Sequence, residues 1–478
     1  MIKPSLEEIK KVSKGYKVSP LALEIFSDQK TPIEVLKNLR IKSDMWFILE
    51  SVNSGSSWGR YTFLGYKPVL SVYGKGKNTK VNGEDTEKDA LYVIREWMSH
   101  YKSPSFPYLP PFTGGFAGYF SYDFVENFIA DLELKARDED GFRDFHLMLI
   151  DKVIAFDNFK QKIFIIVNIP VENLEDNYIK GITELKDIER LILGNASGDE
   201  QSFCGEFTSR FSKDSFKDMV ENIKTHIANR EILQAVVSNR FKAPFRGSLM
   251  NVYRLLRTIN PSPYMVYMRL DDIEIACSSP ETLVSVQNGE INSFPLAGTC
   301  PRGKTEEEDA AFINALLKDE KELNEHEMLV ELAREDIGRI SRSGSVSVRG
   351  YRKIKKFSHV SHISSNITGR LQEGLDSLDV IASTLPAGTL SGSPKKRACE
   401  IIDKYEGVKR GVYGGAIGYI DFTGNMDMCI GIRMAVLKDN HVTVQAGAGI
   451  VLESVAEKEY HETCNKAQAL MQALINSN

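Results

Sequence analysis

The run LVSVQNGEINSF, residues 283–294, decides the fold class. Asn288-Gly289 separates two strand-like halves, and the central residues of a two-residue hairpin turn need the positive φ that Asn and Gly tolerate best. RMAVLKDNHVTVQAGAG, residues 433–449, repeats the arrangement around Asp439-Asn440. Turns this tight join antiparallel strands, because parallel strands need a long crossover. VIAFDNFKQKIFIIVNI (153–169) reads as a third hairpin, and residues 45–80 carry short β-rich runs broken by Gly, Ser and Asn.

Helical periodicity lies between these runs. Ser212 can cap a helix in which Phe216, Met219, Val220, Ile223 and Ile227 recur at helical spacing. LNEHEMLVELAREDIGRI (323–340), with Leu329, Leu332 and Ile337 as its apolar stripe, and SVAEKEYHETCNKAQALMQAL (454–474) are two further helices. The predicted class is α+β, with two largely antiparallel sheets forming a sandwich around a cleft and helices outside. A Gly-, Asn-, Ser- and acid-rich stretch at 194–209 is the predicted linker between a mixed α/β lobe (1–195) and a second lobe (205–478).

Composition narrows the function. A net charge of -5 supplies no positive field for a phosphate backbone, so nucleic acid is not an expected partner. No apolar run reaches the ~18–20 residues that span a bilayer, and no membrane partner is expected. The first residues, MIKPSLEEIKKVSKGYK, carry acids and no apolar segment, unlike a secretory leader. Six cysteines without a CxxC pair read as reduced thiols, so a cytoplasmic location is expected.

Candidate chemistry concentrates in the second lobe. Glu322, Glu325 and Leu329 share one helical face, which puts Glu325 at the border of apolar and polar surface. Glu462 stands one turn before Lys466. A solvated acidic face and a surface ion pair account for these spacings, and so would two helical carboxylates facing one cleft around magnesium. In TLPAGTLSGSPKKRACEII (384–402), Ser393 is the predicted N-cap and Pro394 the first helical residue, with free amides able to meet an anion. Gly447, Ala448 and Gly449 read as a turn exposing N–H groups, and Arg433 can fork onto a carboxylate. His359 and His362 sit on a strand-like segment whose odd spacing sends them to opposite faces, so they do not chelate together; either is a candidate proton carrier.

Eight segments occur in one order: SPE (279–281), PLAGTCPRG (295–303), NEHEMLVELAREDIGR (324–339), PAGTLSGSPK (386–395), YGGAIGY (413–419), CIGIR (429–433), QAGAGIV (445–451) and ETCNKA (462–467). Together they resemble the chorismate-utilising enzymes. ILESVNSG and RYTFLGYKP extend the resemblance, over nearly the whole chain, to the large subunits of anthranilate synthases. The resemblance implies Glu325 and Glu462 as ligands of Mg2+. It implies a chorismate site built from Gly298, Thr299, Tyr413, Arg433, Gly447, Ala448, Gly449 and Lys466. His362 would handle protons, Glu281 would protonate the departing 4-hydroxyl, and Thr389 would orient the substrate. The implied reaction adds ammonia to chorismate and expels pyruvate, leaving anthranilate, the first step toward tryptophan.

Relatives that make the 4-amino isomer usually carry a nucleophilic lysine where this chain has Ala297, which disfavours 4-amino-4-deoxychorismate synthesis. Isochorismate or salicylate synthesis is also compatible with the family resemblance, and so is a non-catalytic tryptophan-binding regulator. Glu50, Ser51, Pro263, Tyr264 and Met265 resemble the elements of a tryptophan feedback site. No cysteine lies in a glutaminase-like nucleophile elbow, so ammonia is expected from a separate glutamine amidotransferase subunit, in a heterotetramer of two large and two small chains. Cys300, Ser393, Glu331 and Glu335 depart from the residues usual in these motifs.

Overall fold

The computed structural model describes residues 1–51, 60–195, 201–356 and 360–477. The hairpin readings hold: Asn288 and Gly289 have φ of 51° and 74°, and Asp439 and Asn440 have 48° and 58°. Thr282–Gln287 therefore folds back on Glu290–Ser293, and Met434–Lys438 on His441–Ile450. Lys152–Asp157 and Lys162–Pro170 form the third hairpin.

Two sheets result, of 14 and 12 strands among the described residues. The central run of the first sheet is Trp46–Glu50, Tyr264–Leu270, Ile273–Ser279, Met434–Lys438, His441–Ile450 and Gln234–Arg246. The second runs through Leu296–Pro301, Val360–Arg370, Glu290–Ser293, Thr282–Gln287, Met426–Ile430, Ala416–Asp421 and Gly115–Phe120. Neighbouring strands in both runs are antiparallel.

Neither sheet breaks at the 194–209 stretch. Trp46–Glu50 pairs with Tyr264–Leu270, and Gly115–Phe120 with Ala416–Asp421, so each sheet takes strands from both sides of it. Within the stretch, Phe203–Cys204 and Thr208–Ser209 pair with Gln234–Arg246.

Strand alternation sorts the apolar residues into layers. Phe47, Val266, Ile275, Val284 and Met428 belong to one fully buried cluster between the sheets. Their neighbours Ile48, Tyr267 and Ala276 join Leu36, Leu256 and Leu470 in a second cluster, between the first sheet and its helices. Each large side chain buried this way contributes roughly 1.5–3 kcal/mol. The strands also set backbone-level limits: a Cβ on Gly418 would lie 1.9 Å from the Asp427 carbonyl oxygen, so that strand position admits only glycine.

The helix capped by Ser212 runs Lys213–Ala228 and buries Phe216, Met219, Val220 and Ile223. The acidic helix is Glu320–Gly338, where Leu329, Val330 and Ile337 are buried while Leu332 is only half-buried. The last helix is Ala456–Ile475. One local reading is corrected. Ser393 is drawn into a two-residue strand opposite Gln234, so Pro394, not Ser393, is the N-cap, the helix begins at Lys395, and no side chain caps it. No helix among the described residues is long and apolar enough to cross a membrane.

Candidate active site

A cavity of about 530 Å³ lies where the two sheets meet the helices Glu320–Gly338 and Ala456–Ile475. Glu281, Gly298, Thr299, Glu325, His362, Thr389, Tyr413, Arg433, Gly447, Gly449, Glu462 and Lys466 all line it. Ala448 does not. Gly447–Gly449 is part of the strand His441–Ile450, not a turn, and Ala448 is fully buried on its opposite side. Its amide is also committed. Val236 N–H and Ser238 N–H point away from this strand, to Ser391 O at 2.8 Å and Glu406 Oε1 at 2.8 Å. By antiparallel alternation the hydrogen-bonded pair is then Val237 with Ala448. The polar backbone of Gly447 and Gly449 faces the other way, and the Gly447 carbonyl meets Lys466 Nζ at 3.1 Å.

His362 is on the strand Val360–Arg370, as its neighbours suggested. Opposite it, the ladder slips between Ala297 and Thr299, and Gly298 takes a φ of 70°. This bulge aims the Gly298 carbonyl at His362 Nδ1, 3.1 Å away, with Thr299 Oγ1 at 3.0 Å. A carbonyl only accepts, so Nδ1 carries the proton and Nε2 is the basic nitrogen. Burial, with Arg433 and Lys466 nearby, holds the imidazole below its ordinary value and therefore neutral. His359 lies outside the described residues.

Glu281 follows the strand Ile273–Ser279 and is buried. Burial pushes its carboxyl up to about 8, and the hydroxyl of Thr389, the Leu296 amide and Lys466 offset this only in part. Thr389 comes from a short turn of helix, Gly388–Leu390, and its buried hydroxyl has no partner at full hydrogen-bond geometry.

Arg433 stands where the chain leaves the strand Met426–Ile430 of one sheet for Met434–Lys438 of the other. Its φ of 52° is left-handed, a conformation costing a non-glycine residue roughly 1–2 kcal/mol and concentrated at functional sites. Burial lowers the guanidinium from its ordinary value, yet it forms no ion pair among the described residues. Lys466 Nζ meets Glu462 Oε1 at 2.6 Å.

Two acids not singled out as site residues also line the cavity, Glu322 and Glu459. Each stands three residues before a predicted ligand, Glu325 or Glu462, a spacing that shares a helical face and was the signal available. Burial raises the Glu325 carboxyl, and repulsion from Glu322 and Glu462 raises it further. The two helices therefore do bring their acids to one place.

The chorismate binding enzyme family model matches residues 52–472. The chain is 43% identical to anthranilate synthase component 1 of Acetivibrio thermocellus, over 99% of both chains. It is equally similar, at 43%, to anthranilate synthase component 1 of Aquifex aeolicus, over 98% of this chain and 97% of that one. The chain belongs to the anthranilate synthase component 1 family. The crystal structure of anthranilate synthase component I from Streptococcus pneumoniae agrees, with a TM-score of 0.77 and 36% identity over 93% of this chain and 98% of that one. The menaquinone-specific isochorismate synthase of Escherichia coli, 17% identical with a TM-score of 0.72, shares the fold.

The segments that resemble the family's feedback site meet at the pairing of Trp46–Glu50 with Tyr264–Leu270. Glu50 and Met265 are register partners and face the helix layer, where Glu50 accepts from Tyr253 Oη at 2.5 Å and pairs with Arg257 at 2.8 Å. Tyr264 faces between the sheets and donates to Asp427 Oδ1 at 2.9 Å. Asp427 lines a second cavity, of about 390 Å³, with Tyr61, Phe63 and Tyr419. Ser51 Oγ is buried without a partner. Neither Pro263 nor any other of the five lines this second cavity directly.

Proposed function

We propose that the 530 Å³ cavity holds chorismate and that its side chains convert it, with ammonia, to anthranilate and pyruvate. The observation that carries this reading is the pairing of opposite protonation states in one enclosure: a carboxylic acid, Glu281, that keeps its proton up to about 8, and a neutral imidazole, His362. An acid that holds its proton at neutral pH beside a base that is free of one is what a reaction with one protonation and one deprotonation requires.

Chorismate is a dianion. Arg433, Lys466 and the backbone N–H groups of Gly447 and Gly449 would hold its carboxylates, with Tyr413 beside them and Gly298 and Thr299 along the ring. Glu281 would give its proton to the departing 4-hydroxyl while ammonia adds at C2, Thr389 fixing the substrate between them. His362 Nε2 would then take the C2 proton and pass it to the enolpyruvyl methylene as the C3–O bond breaks and pyruvate leaves. Ala297 lines the cavity and offers no nucleophile, consistent with free ammonia at C2.

Mg2+ fits the acids. Glu325 feels repulsion from Glu322 and Glu462, which Lys321 and Lys466 oppose and which a divalent cation would relieve further. No set of three His, Cys, Asp or Glu ligands converges among the described residues. Glu325 and Glu462 would therefore hold the ion, with water and a substrate carboxylate completing its shell, as Mg2+ commonly allows. When bound, it would neutralise charge on the substrate.

Ammonia would come from a separate glutamine amidotransferase, since no cysteine of the sequence sits in a glutaminase-like nucleophile elbow, in a cytoplasmic assembly of two large and two small subunits. Tryptophan would inhibit from a site at Glu50, Ser51, Pro263, Tyr264 and Met265, where Trp46–Glu50 pairs with Tyr264–Leu270 and Ser51 Oγ is buried without a partner. The test is incubation of the purified chain with chorismate, magnesium and an ammonium salt. Anthranilate fluorescence that falls on adding tryptophan is the expected result. A 4-amino product, or tight tryptophan binding without turnover, would overturn it.

A further inference from the structure

Behind the cavity wall, and outside the cavity itself, lies a fully buried ion pair, Arg410 with Glu406, whose side chains are 2% and 3% exposed. Each nitrogen of the guanidinium head donates a hydrogen bond. Nε reaches Glu406 Oε2 at 2.9 Å and Nη2 reaches Oε1 at 2.5 Å. Nη1 donates to Leu390 O and Nη2 to Val236 O, both at 2.6 Å. The planar head also lies 4.5 Å from the ring centre of Tyr122 and 5.7 Å from that of Tyr413.

Glu406 extends the contacts in the other direction. Its Oε1 accepts from Ser238 N and Ser238 Oγ, both at 2.8 Å, and Ser238 Oγ accepts from Gln445 Nε2 at 2.7 Å. Val236, Leu390, Tyr413 and Gln445 all line the cavity, and each belongs to a different segment of the chain. Leu390 is adjacent to Thr389. One ion pair therefore touches four segments of the cavity wall; Gln234–Arg246 and His441–Ile450 are already neighbours in one ladder, so the spacing it adds is that of Leu390 and of the loop carrying Tyr413 relative to that ladder.

A buried ion pair adds little net stability over a well-packed apolar pair of the same volume, because both charges are desolvated. What it adds is direction, since a guanidinium fork donates its hydrogen bonds only in its own plane. We propose that Arg410 and Glu406 are positioning residues for the anthranilate synthase reaction. They fix Thr389 and Tyr413 relative to Glu281 and the substrate without touching it. The proposal rests on the function assigned above.

The decisive variants are the double substitution Arg410→Met with Glu406→Leu, which removes both charges and nearly keeps volume, and Ser238→Ala, which removes the hydroxyl that joins Glu406 to Gln445 and leaves the ion pair itself in place. Glu406→Gln keeps the shape and most hydrogen bonds. Each is assayed for kcat and KM separately, beside thermal melting. Misplacing a reacting group by ~1 Å costs up to about 10²-fold. The double variant leaves Leu390 O, Val236 O and Ser238 N–H without these partners and so should melt below wild type, and it should lose about tenfold or more in kcat, with KM for chorismate changing much less. Ser238→Ala should lose kcat in the same sense but less, and Glu406→Gln should retain more activity than the double variant. A folded double variant with wild-type kcat overturns the proposal. If the double variant does not fold, an unchanged kcat in Ser238→Ala overturns it. Absence of anthranilate from the wild-type chain would instead overturn the assigned function.

Discussion

Replacing Glu281 by Gln should separate the proton that the reaction needs from the stability that the folded chain gives up to keep it. Burial raises this carboxyl from 4.5 to about 8. Its folded value lies above its unfolded one, so the folded chain binds the proton more tightly. The stabilising contribution is complete below pH 4.5 and is lost as pH rises to about 8. At ~1.4 kcal/mol per pH unit, the full loss above pH 8 is about 5 kcal/mol, an upper figure for a buried group. Glutamine does not titrate. The stability of Glu281→Gln relative to wild type should therefore widen by about 3 kcal/mol between about pH 6 and about pH 8.5. Urea unfolding at the two pH values, without substrate, measures this. Turnover of chorismate at constant free ammonia measures the other half: wild-type kcat/KM, which reports the free enzyme, should fall about tenfold between about pH 7 and about pH 9, and the variant should be inactive throughout. A stability difference that stays constant with pH, or a variant that turns over normally, would refute the assignment of Glu281 as a buried acid.

Three other outcomes follow from the same geometry. Glu462→Gln should abolish turnover and weaken magnesium binding by about 10-fold or more, seen by calorimetry on the protein alone, and undiminished binding would remove Glu462 from the metal set. His362→Asn should lose turnover by about 10²–10⁴-fold, the usual worth of a positioned acid or base. Because burial lowers this imidazole, the acid limb of the wild-type kcat/KM profile should lie below the ordinary histidine value of 6.5, and a limb above it would contradict the neutral tautomer. Ser51→Phe should relieve tryptophan inhibition with uninhibited kcat within about 2-fold of wild type, because Ser51 lies outside the chorismate cavity and makes none of its contacts; unchanged tryptophan sensitivity would count against the regulatory reading.

The fold was legible wherever local chemistry dictates geometry. Asn288-Gly289 and Asp439-Asn440 announce their hairpins because few residues accept positive φ, and Ser212 announces a helix because its hydroxyl caps the first turn. The misreadings share one cause. Ser393-Pro394 has the local signature of a helix start, and Gly447–Gly449 that of a turn, but both are held in ladders by strands more than a hundred residues away. A ladder partner supplies hydrogen bonds that no local pattern announces.

The site divides in the same way. The sequence by itself named the residue types and most positions of the candidate site: Glu281, His362, Arg433, Glu325 and Glu462. Ordered motifs carry that chemistry along the chain. Only the tertiary structure decided which of them face one enclosure, that Ala448 turns its back on it, and that Glu322 and Glu459 join it. It also decided protonation. An isolated Glu281 would be ionised at neutral pH, and it keeps its proton because the folded sheets strip water from it, a burial that arises from strands hundreds of residues apart and is written in no single segment.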